Sequence, residues 1–221
     1  MKQYTAKNIR NVALAGHAGS GKTSLAEAAY YLSGASDRLG RVADGNTVCD
    51  FDPEEIRRKA SVSLALLPVE WKDTKMNLLD TPGLFDFAGG KSEGFRAAGS
   101  TVIVVSGKSG VTVGAEKAFD AATKKGIAKL FFVNKLDNEN ADFYKVFEEL
   151  KTRFGPMVCP LVVPYVEDPE KMLEEDAQLI IMRVAEENGE EFLDIVEDDE
   201  ELAAVSEVFA ARLEELYDIE L

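Results

Sequence analysis

Three short groups of residues in this sequence have the types and the order needed to hold a nucleotide. The first, residues 16–23 (GHAGSGKT), matches the pattern G-x-x-x-x-G-K-[ST]. Its glycines allow backbone N–H groups to converge on a phosphate, its lysine can reach the outer phosphates, and its threonine hydroxyl can bind Mg²⁺. Alone, the same string also suits a glycine-rich turn before a helix. The residues predicted to contact phosphate here are His17, Ala18, Gly19, Ser20, Gly21, Lys22 and Thr23.

The second group, LLDTPG at residues 78–83, supplies a carboxylate and a glycine. Asp80 ends an apolar run, where it can hold Mg²⁺ through a water molecule, and the Gly83 N–H can meet a terminal phosphate. Pro82 and Gly83 also make an ordinary turn when they are considered alone. The prediction of a magnesium and phosphate site therefore depends on the order of the groups along the chain.

The third group, NKLD at residues 134–137, has the chemistry to recognise a base. Asp137 can accept hydrogen bonds from the N1–H and N2–H₂ groups of guanine, a pair of donors that adenine does not present. Asn134 can secure the loop, and the stem of Lys135 can cover the base. Four residues are a weak signal alone. The order phosphate, magnesium, base nevertheless predicts GTP or GDP with Mg²⁺ as the ligand.

Apolar and amphipathic segments alternate around these groups. Short runs rich in Val, Leu, Ile and Phe predict strands, and segments with helical spacing end near glycines. Strands without polar alternation are covered on both faces, which predicts an α/β three-layer sandwich with a mostly parallel sheet. All three groups then lie at carboxyl ends of strands, where such sheets bind ligands. The predicted strands are 11–16, 61–71, 76–80, 101–107 and 129–135, and the predicted helices are 22–34, 114–126 and 141–155.

Composition narrows the class of protein. The net charge of −15 is uneven, because acidic residues concentrate after residue 166, and that part should repel nucleic acid. The two cysteines, Cys49 and Cys159, form no disulfide framework or zinc pattern. The N-terminus lacks the apolar core of a signal peptide, and no apolar run approaches the roughly 18 residues of a membrane span. We expect a cytoplasmic monomer without DNA or membrane partners.

The three groups, with the stretches GNTVCDFDPEEIRRKASVSLALLPVEW and NENADFYKVFEELKTRFG, resemble the GTPase domain of the translational GTPases, and within them elongation factor G and its paralogues. The likeness runs from Asn8 to Phe154. It implies a P-loop GTPase domain that acts on the ribosome as a switch coupled to GTP hydrolysis, with translocation as the step. It also implies that Ser61 replaces a switch I threonine that binds Mg²⁺ and the γ-phosphate; an outward serine at the start of a strand is the alternative.

The resemblance further implies partners and a second domain. The GTPase domain at 1–155 would lack its final base-binding loop, strand and helix, as in a fragment of a longer factor. Residues 156–221 resemble the beginning of an acidic α+β insert, with a strand at 157–165 and an amphipathic helix at 198–218. That insert can contact stalk proteins of the large ribosomal subunit, or its helix can simply pack on the sheet. Residues 57–59 (RRK) would face ribosomal RNA or form a solvated loop.

Two residues depart from the family pattern. Leu84 follows D-T-P-G, where elongation factor G has a histidine that positions the attacking water. No catalytic residue is therefore assigned, and we expect very slow intrinsic hydrolysis. His17 lies inside the phosphate loop and does not replace the missing histidine, although an acid such as Asp86 is an alternative. Gly19 stands where many of these factors have an aspartate.

Leu84 leaves a second functional class open: a nucleotide-binding switch or scaffold on the ribosome with little turnover. An ATP-using P-loop kinase is the third class, and the NKLD group argues against it.

Overall fold

Seven strands form one sheet in the order β2-β3-β1-β4-β5-β7-β6 in a computed structural model that describes residues 2–162, 164 and 180–184. Strand β1 runs parallel to β3 and β4, and β4 runs parallel to β5. Strand β2 is antiparallel to β3, and β7 is antiparallel to both β5 and β6. The strands are β1 (Ile9–Gly16), β2 (Ala65–Trp71), β3 (Thr74–Asp80), β4 (Ser100–Ser106), β5 (Ala128–Asn134), β6 (Val158–Pro160) and β7 (Ile180–Val184).

Helices cover both faces of this sheet, as the continuous apolar strands predict. The first core joins the sheet to α3, α4 and α5, with Phe131, Ile103 and Leu150 at its centre. The second lies on the opposite face, where Ala26 of α1 packs near Leu14. The α-helices are α1 (Lys22–Leu32), α2 (Pro53–Arg58), α3 (Ala88–Ala97), α4 (Val113–Lys125) and α5 (Phe143–Phe154); short 3₁₀ helices span Ala6–Asn8, Val42–Asp44 and Phe85–Phe87. The predicted three-layer α/β class is confirmed.

Local sequence signals explain where the helices begin and end. The Asp142 side chain accepts a hydrogen bond from the Lys145 N–H at 3.0 Å and caps α5. Helix α4 ends at Lys125 and is capped by Gly126, whose left-handed backbone returns its N–H to the carbonyls of the last turn. The predicted helices at 22–34, 114–126 and 141–155 therefore correspond to α1, α4 and α5 with shifts of one or two residues at their ends.

The structure contains elements that the sequence pattern did not predict. Helix α3 (AGGKSEGFRA) is rich in glycine, which disfavours a helix. A Cβ at Gly94 would approach the Thr81 methyl group at 2.7 Å, so the glycine allows α3 to lie close to the D-T-P-G segment. Helix α2 and strand β7 were also unpredicted.

Two sequence predictions concern the acidic part of the chain. The strand predicted at 157–165 is much shorter as β6, which ends at Pro160; residues 163 and 165 lie outside the described residues. The helix predicted at 198–218 also lies outside them. Among the described helices, none is long and apolar enough to cross a bilayer.

Candidate functional site

The candidate site lies where the carboxyl ends of β1, β3 and β5 approach one another. The phosphate loop, residues 16–23, connects β1 to α1. Thr81 joins the end of β3 to β1, because its backbone N–H and its hydroxyl both donate to the Leu14 carbonyl, at 3.2 and 2.7 Å. The three groups predicted from the sequence therefore meet at one edge of the sheet.

Two glycines give the phosphate loop its shape. Gly16 and Gly21 have φ values of 138° and 98°, which side chains rarely adopt. A Cβ at Gly16 would collide with the Val104 carbonyl oxygen, and one at Gly21 would collide with the Asn134 amide. The loop can therefore lie against β4 and the end of β5 only with glycine at these positions.

Lys22, the first residue of α1, carries its charge in a buried place. Its Nζ donates to the His17 carbonyl at 2.9 Å, across the loop. Burial lowers the pKa of Lys22 to about 8, although the negative charge of Asp80 counteracts this change. A Cβ at Gly83 would lie 2.6 Å from Nζ. Lys22 and Gly83, both predicted to contact phosphate, are therefore adjacent.

The three residues predicted to bind metal form a cluster of oxygen atoms beside Lys22. The Thr23 hydroxyl donates to Oδ2 of Asp80 at 2.6 Å and lies 3.1 Å from the Ser61 hydroxyl. The other oxygen of Asp80 is buried and makes no hydrogen bond of good geometry to the described residues. Burial raises the pKa of Asp80 to about 6. Mg²⁺ binds hard oxygen ligands such as carboxylates and hydroxyls, and a buried carboxylate oxygen without a good partner gains from a nearby cation, so these residues fit that ion.

Asp50 is a further carboxylate at this cluster, and the sequence analysis did not assign it a role. It is 4% exposed and lines the same cavity as Thr23 and Ser61. Burial raises its pKa, and neither of its oxygens makes a hydrogen bond of good geometry to the described residues. Asp50 lies in a loop and not at a strand end, so the rule used to find Asp80 could not find it.

A cavity of about 230 Å³ opens between the phosphate loop and the loop residues that face it. Leu84 is half-buried on its wall, so an apolar side chain lies directly after Gly83. The acid considered as an alternative, Asp86, is exposed on the following 3₁₀ helix. The predicted site residues that line the cavity are Ala18, Gly19, Gly21, Lys22, Thr23, Ser61, Gly83 and Lys135.

His17 and Ser20 do not line this cavity. The His17 ring lies 5.9 Å from the Phe85 ring, and its buried Nδ1 has no hydrogen-bond partner among the described residues. Ser20 is buried, and its carbonyl faces β5. Any contact of these two residues with phosphate would therefore come from their backbone.

The residues predicted to bind guanine divide into two sets. The Asn134 side chain donates to the Ser20 carbonyl at 3.1 Å and accepts from the Lys135 N–H at 2.8 Å, so it ties β5 to the phosphate loop. Lys135 has a left-handed backbone, with φ of 62°, and lines the cavity. Asp137 is exposed and does not line the cavity. The structure thus brings Asn134 and Lys135 to the phosphate loop and leaves Asp137 beyond it.

Comparison with known proteins identifies related chains. Residues 7–218 match the family model described as the elongation factor Tu GTP binding domain. A crystal structure of ttk003000868 from Thermus thermophilus superposes with a TM-score of 0.66 and 32% identity, covering 96% of this chain and 33% of that one.

Two curated relatives give the same picture. The mitochondrial ribosome-releasing factor 2 of Culex quinquefasciatus is 36% identical over 162 residues, which are 73% of this chain and 22% of the relative. Elongation factor G of Granulibacter bethesdensis is 34% identical over 164 residues, 74% of this chain and 24% of the relative. The chain thus spans about a quarter of the length of these relatives.

Proposed function

The chain belongs to the translational GTPases, as a member of the elongation factor Tu GTP binding domain family, and on that premise we propose that it binds GTP and GDP with Mg²⁺ in the cavity beside Lys22. The observation that carries the proposal is the oxygen cluster of Thr23, Ser61 and Asp80 next to the buried lysine. A cation and an anion bound together would compensate the charges that the protein buries there.

The proposed roles follow from position. Backbone N–H groups of residues 17–23 and the Lys22 ammonium group bind the phosphates, while Thr23 and Ser61 bind Mg²⁺ directly and Asp80 binds it through water. When bound, Mg²⁺ would neutralise phosphate charge. Asn134, Lys135 and Asp137 bind the guanine base. Supporting this proposal, Asn134 already links the base-binding group to the phosphate loop.

A switch follows from these roles. Ser61 and Gly83 belong to different segments, and both lie beside the place proposed for the γ-phosphate. A bound γ-phosphate would fasten both segments in one arrangement, and its loss would release them. We propose that this change is coupled to GTP hydrolysis during protein synthesis, with translocation as the step. We further propose that the protein is a cytoplasmic monomer, and that its partners on the ribosome are ribosomal RNA and the stalk proteins.

The division of the chain remains part of the same proposal. Residues 1–155 would form the GTPase domain, and the acidic residues 156–221 would belong to an insert that contacts stalk proteins.

Isothermal titration calorimetry tests nucleotide binding. We expect GDP and the β,γ-imido analogue of GTP to bind with Mg²⁺, and ATP to bind much more weakly. Thr23→Val should remove most of the Mg²⁺ dependence. Thr123→Val is the matched control, because it removes an exposed hydroxyl that donates to the Phe119 carbonyl within α4. Equal binding of ATP and GTP would contradict the proposal.

A second candidate function is supported by Leu84, the apolar residue on the cavity wall. Leucine cannot orient an attacking water, so we propose very slow intrinsic hydrolysis and, as the alternative function, a ribosome-bound switch with little turnover. Phosphate release measured with and without ribosomes separates the two functions. Release that stays slow with ribosomes supports the scaffold, and strong stimulation supports the hydrolysis-coupled switch.

A further inference from the structure

Glu55 on α2 is a buried carboxylate outside the cavity. It is 2% exposed, and a carboxylate can be buried only if its oxygens are compensated. The neighbouring cations do not supply this compensation, because Arg57 and Arg58 both pair with the more exposed Glu54. The partners of Glu55 must therefore come from elsewhere.

Three backbone N–H groups donate to Glu55. Oε1 accepts from Val62 at 2.9 Å and from Ser63 at 3.0 Å. Oε2 accepts from Asp52 at 3.2 Å and completes a capping box at the start of α2. One carboxylate thus satisfies the first turn of α2 and also binds the two amides that directly follow Ser61.

The chain between these contacts makes a tight reversal. Helix α2 ends at Arg58, the capping residue Lys59 has a left-handed backbone with φ of 52°, and the Ala60 N–H donates to the Glu55 carbonyl at 3.2 Å. The next residue, Ser61, has its hydroxyl 3.1 Å from that of Thr23. Glu55 therefore holds segment 60–63 through its side chain and its backbone at the place where Ser61 faces the cluster.

We propose that Glu55 is the positioning residue that places Ser61 for the γ-phosphate state, and so sets the preference of the site for a nucleoside triphosphate over a diphosphate. This inference rests on the proposed metal and γ-phosphate role of Ser61. GDP has no γ-phosphate to engage that segment, so the effect of Glu55 falls on the triphosphate. Glu55 acts only through Ser61 and does not itself touch nucleotide.

A double-mutant cycle tests the inference. Affinities of the 221-residue chain for GDP and for the β,γ-imido analogue of GTP are measured with Mg²⁺ in the wild type, Glu55→Leu, Ser61→Ala and the double variant. We expect Glu55→Leu to lower the affinity for the analogue about tenfold, because two amides lose their acceptor, and to change the affinity for GDP less than about twofold. In the Ser61→Ala background, Glu55→Leu should lower the affinity for the analogue less than about twofold, because the effects of substitutions at coupled residues are not additive.

Two further variants guard against a purely structural effect. Glu55→Gln keeps one oxygen for Val62 and Ser63, so it should retain most of the analogue affinity. Glu54→Leu removes a carboxylate from the same helix and should leave the affinities for both nucleotides unchanged. Should Glu55→Leu not fold, the smaller loss in Glu55→Gln must disappear in the Ser61→Ala background.

The outcomes are distinct. An equal loss for both nucleotides, or a full loss in the Ser61→Ala background, overturns the role of Glu55 while leaving nucleotide binding intact. A wild-type chain that binds neither nucleotide overturns the proposed function, and the inference falls with it.

Discussion

Replacing Lys22 with methionine should stabilise the nucleotide-free protein while it weakens nucleotide binding. Burial lowers the pKa of Lys22 from 10.5 to about 8, and each unit corresponds to about 1.36 kcal/mol, so keeping this lysine charged at pH 7 costs about 3 kcal/mol. Methionine avoids that cost but loses the hydrogen bond to the His17 carbonyl, worth about 1 kcal/mol. We therefore expect Lys22→Met to raise the free energy of unfolding by up to about 2 kcal/mol.

The lowered pKa of Lys22 also predicts how the free energy of unfolding changes with pH. Between pH 8 and 10.5 the unfolded chain holds a proton on Lys22 that the folded chain has released. The free energy of unfolding of the wild type should therefore rise with pH in this window, and Lys22→Met should lack that part of the rise. The assay is urea unfolding without nucleotide at pH 7, 9 and 10. Lys108→Met is the matched control, because Lys108 is exposed.

Saturating GDP should offset most or all of the stability that Lys22→Met gains. Loss of the charged contact to phosphate should weaken GDP binding about 10- to 100-fold, and a ligand stabilises the folded state only as far as it binds. A Lys22→Met variant that is less stable than the wild type without nucleotide, at equal slope in urea, would refute the account of a buried charge that its surroundings compensate only in part. Unchanged GDP affinity would refute the phosphate role.

Four other substitutions test separate parts of the site. Asp137→Asn should weaken GDP at least about tenfold and favour xanthine nucleotides in competition assays, because an amide can donate to their second carbonyl. Leu84→His should speed single-turnover GTP hydrolysis about 10- to 100-fold with little change in GDP affinity. The stability of the wild type should fall as pH rises from about 4 to 6, since folded Asp80 keeps a proton that the unfolded chain has lost, and Asp80→Asn should remove this fall. At pH 7 without Mg²⁺, the same variant should add up to about 3 kcal/mol to the free energy of unfolding in urea. Lys59→Gly should add about 0.5 kcal/mol to the unfolding free energy, because glycine accepts its left-handed backbone.

Each of these predictions has an outcome that contradicts it. A fall in stability between about pH 4 and 6 that persists in Asp80→Asn would contradict the account of the raised pKa of Asp80. Unchanged base preference in Asp137→Asn would place guanine recognition elsewhere. A Leu84→His variant as slow as the wild type would mean that the leucine does not limit hydrolysis. Lys125→Gly is the matched control for Lys59→Gly: it lies within the last turn of α4 and should destabilise by up to about 1 kcal/mol. Equal effects of the two glycines would show that backbone conformation does not govern position 59.

The sequence was sufficient for the parts of the fold where local pattern and tertiary environment agree. The run ending at Gly16 is apolar because both faces of β1 are covered, and the glycine spacing that follows has few structural solutions. The proximity of Thr23 to Asp80 also follows from simple topology, because β1 and β3 are parallel neighbours. Motif order and strand order therefore carried the prediction of where the site lies.

Other features depend on contacts that a single sequence does not encode locally. Helix α3 forms despite its glycines because they allow it to pack against the D-T-P-G segment, a tertiary effect that outweighs helix propensity. Asp50 and Glu55 are buried in a polar stretch that folds against the rest of the chain through its neighbour Cys49, which packs with residues of α1 and β2. Carboxylates in such a stretch look solvated in the sequence, so neither signalled a role.

The hydrogen bond between the Asn134 side chain and the Ser20 carbonyl fixes the distance between the end of β5 and the phosphate loop. It joins the two loops proposed to hold opposite ends of a nucleotide, so the separation of these loops is set by a contact within the protein itself. The loops are therefore ordered when the chain folds, and the entropy cost of ordering them does not reduce the affinity for a ligand.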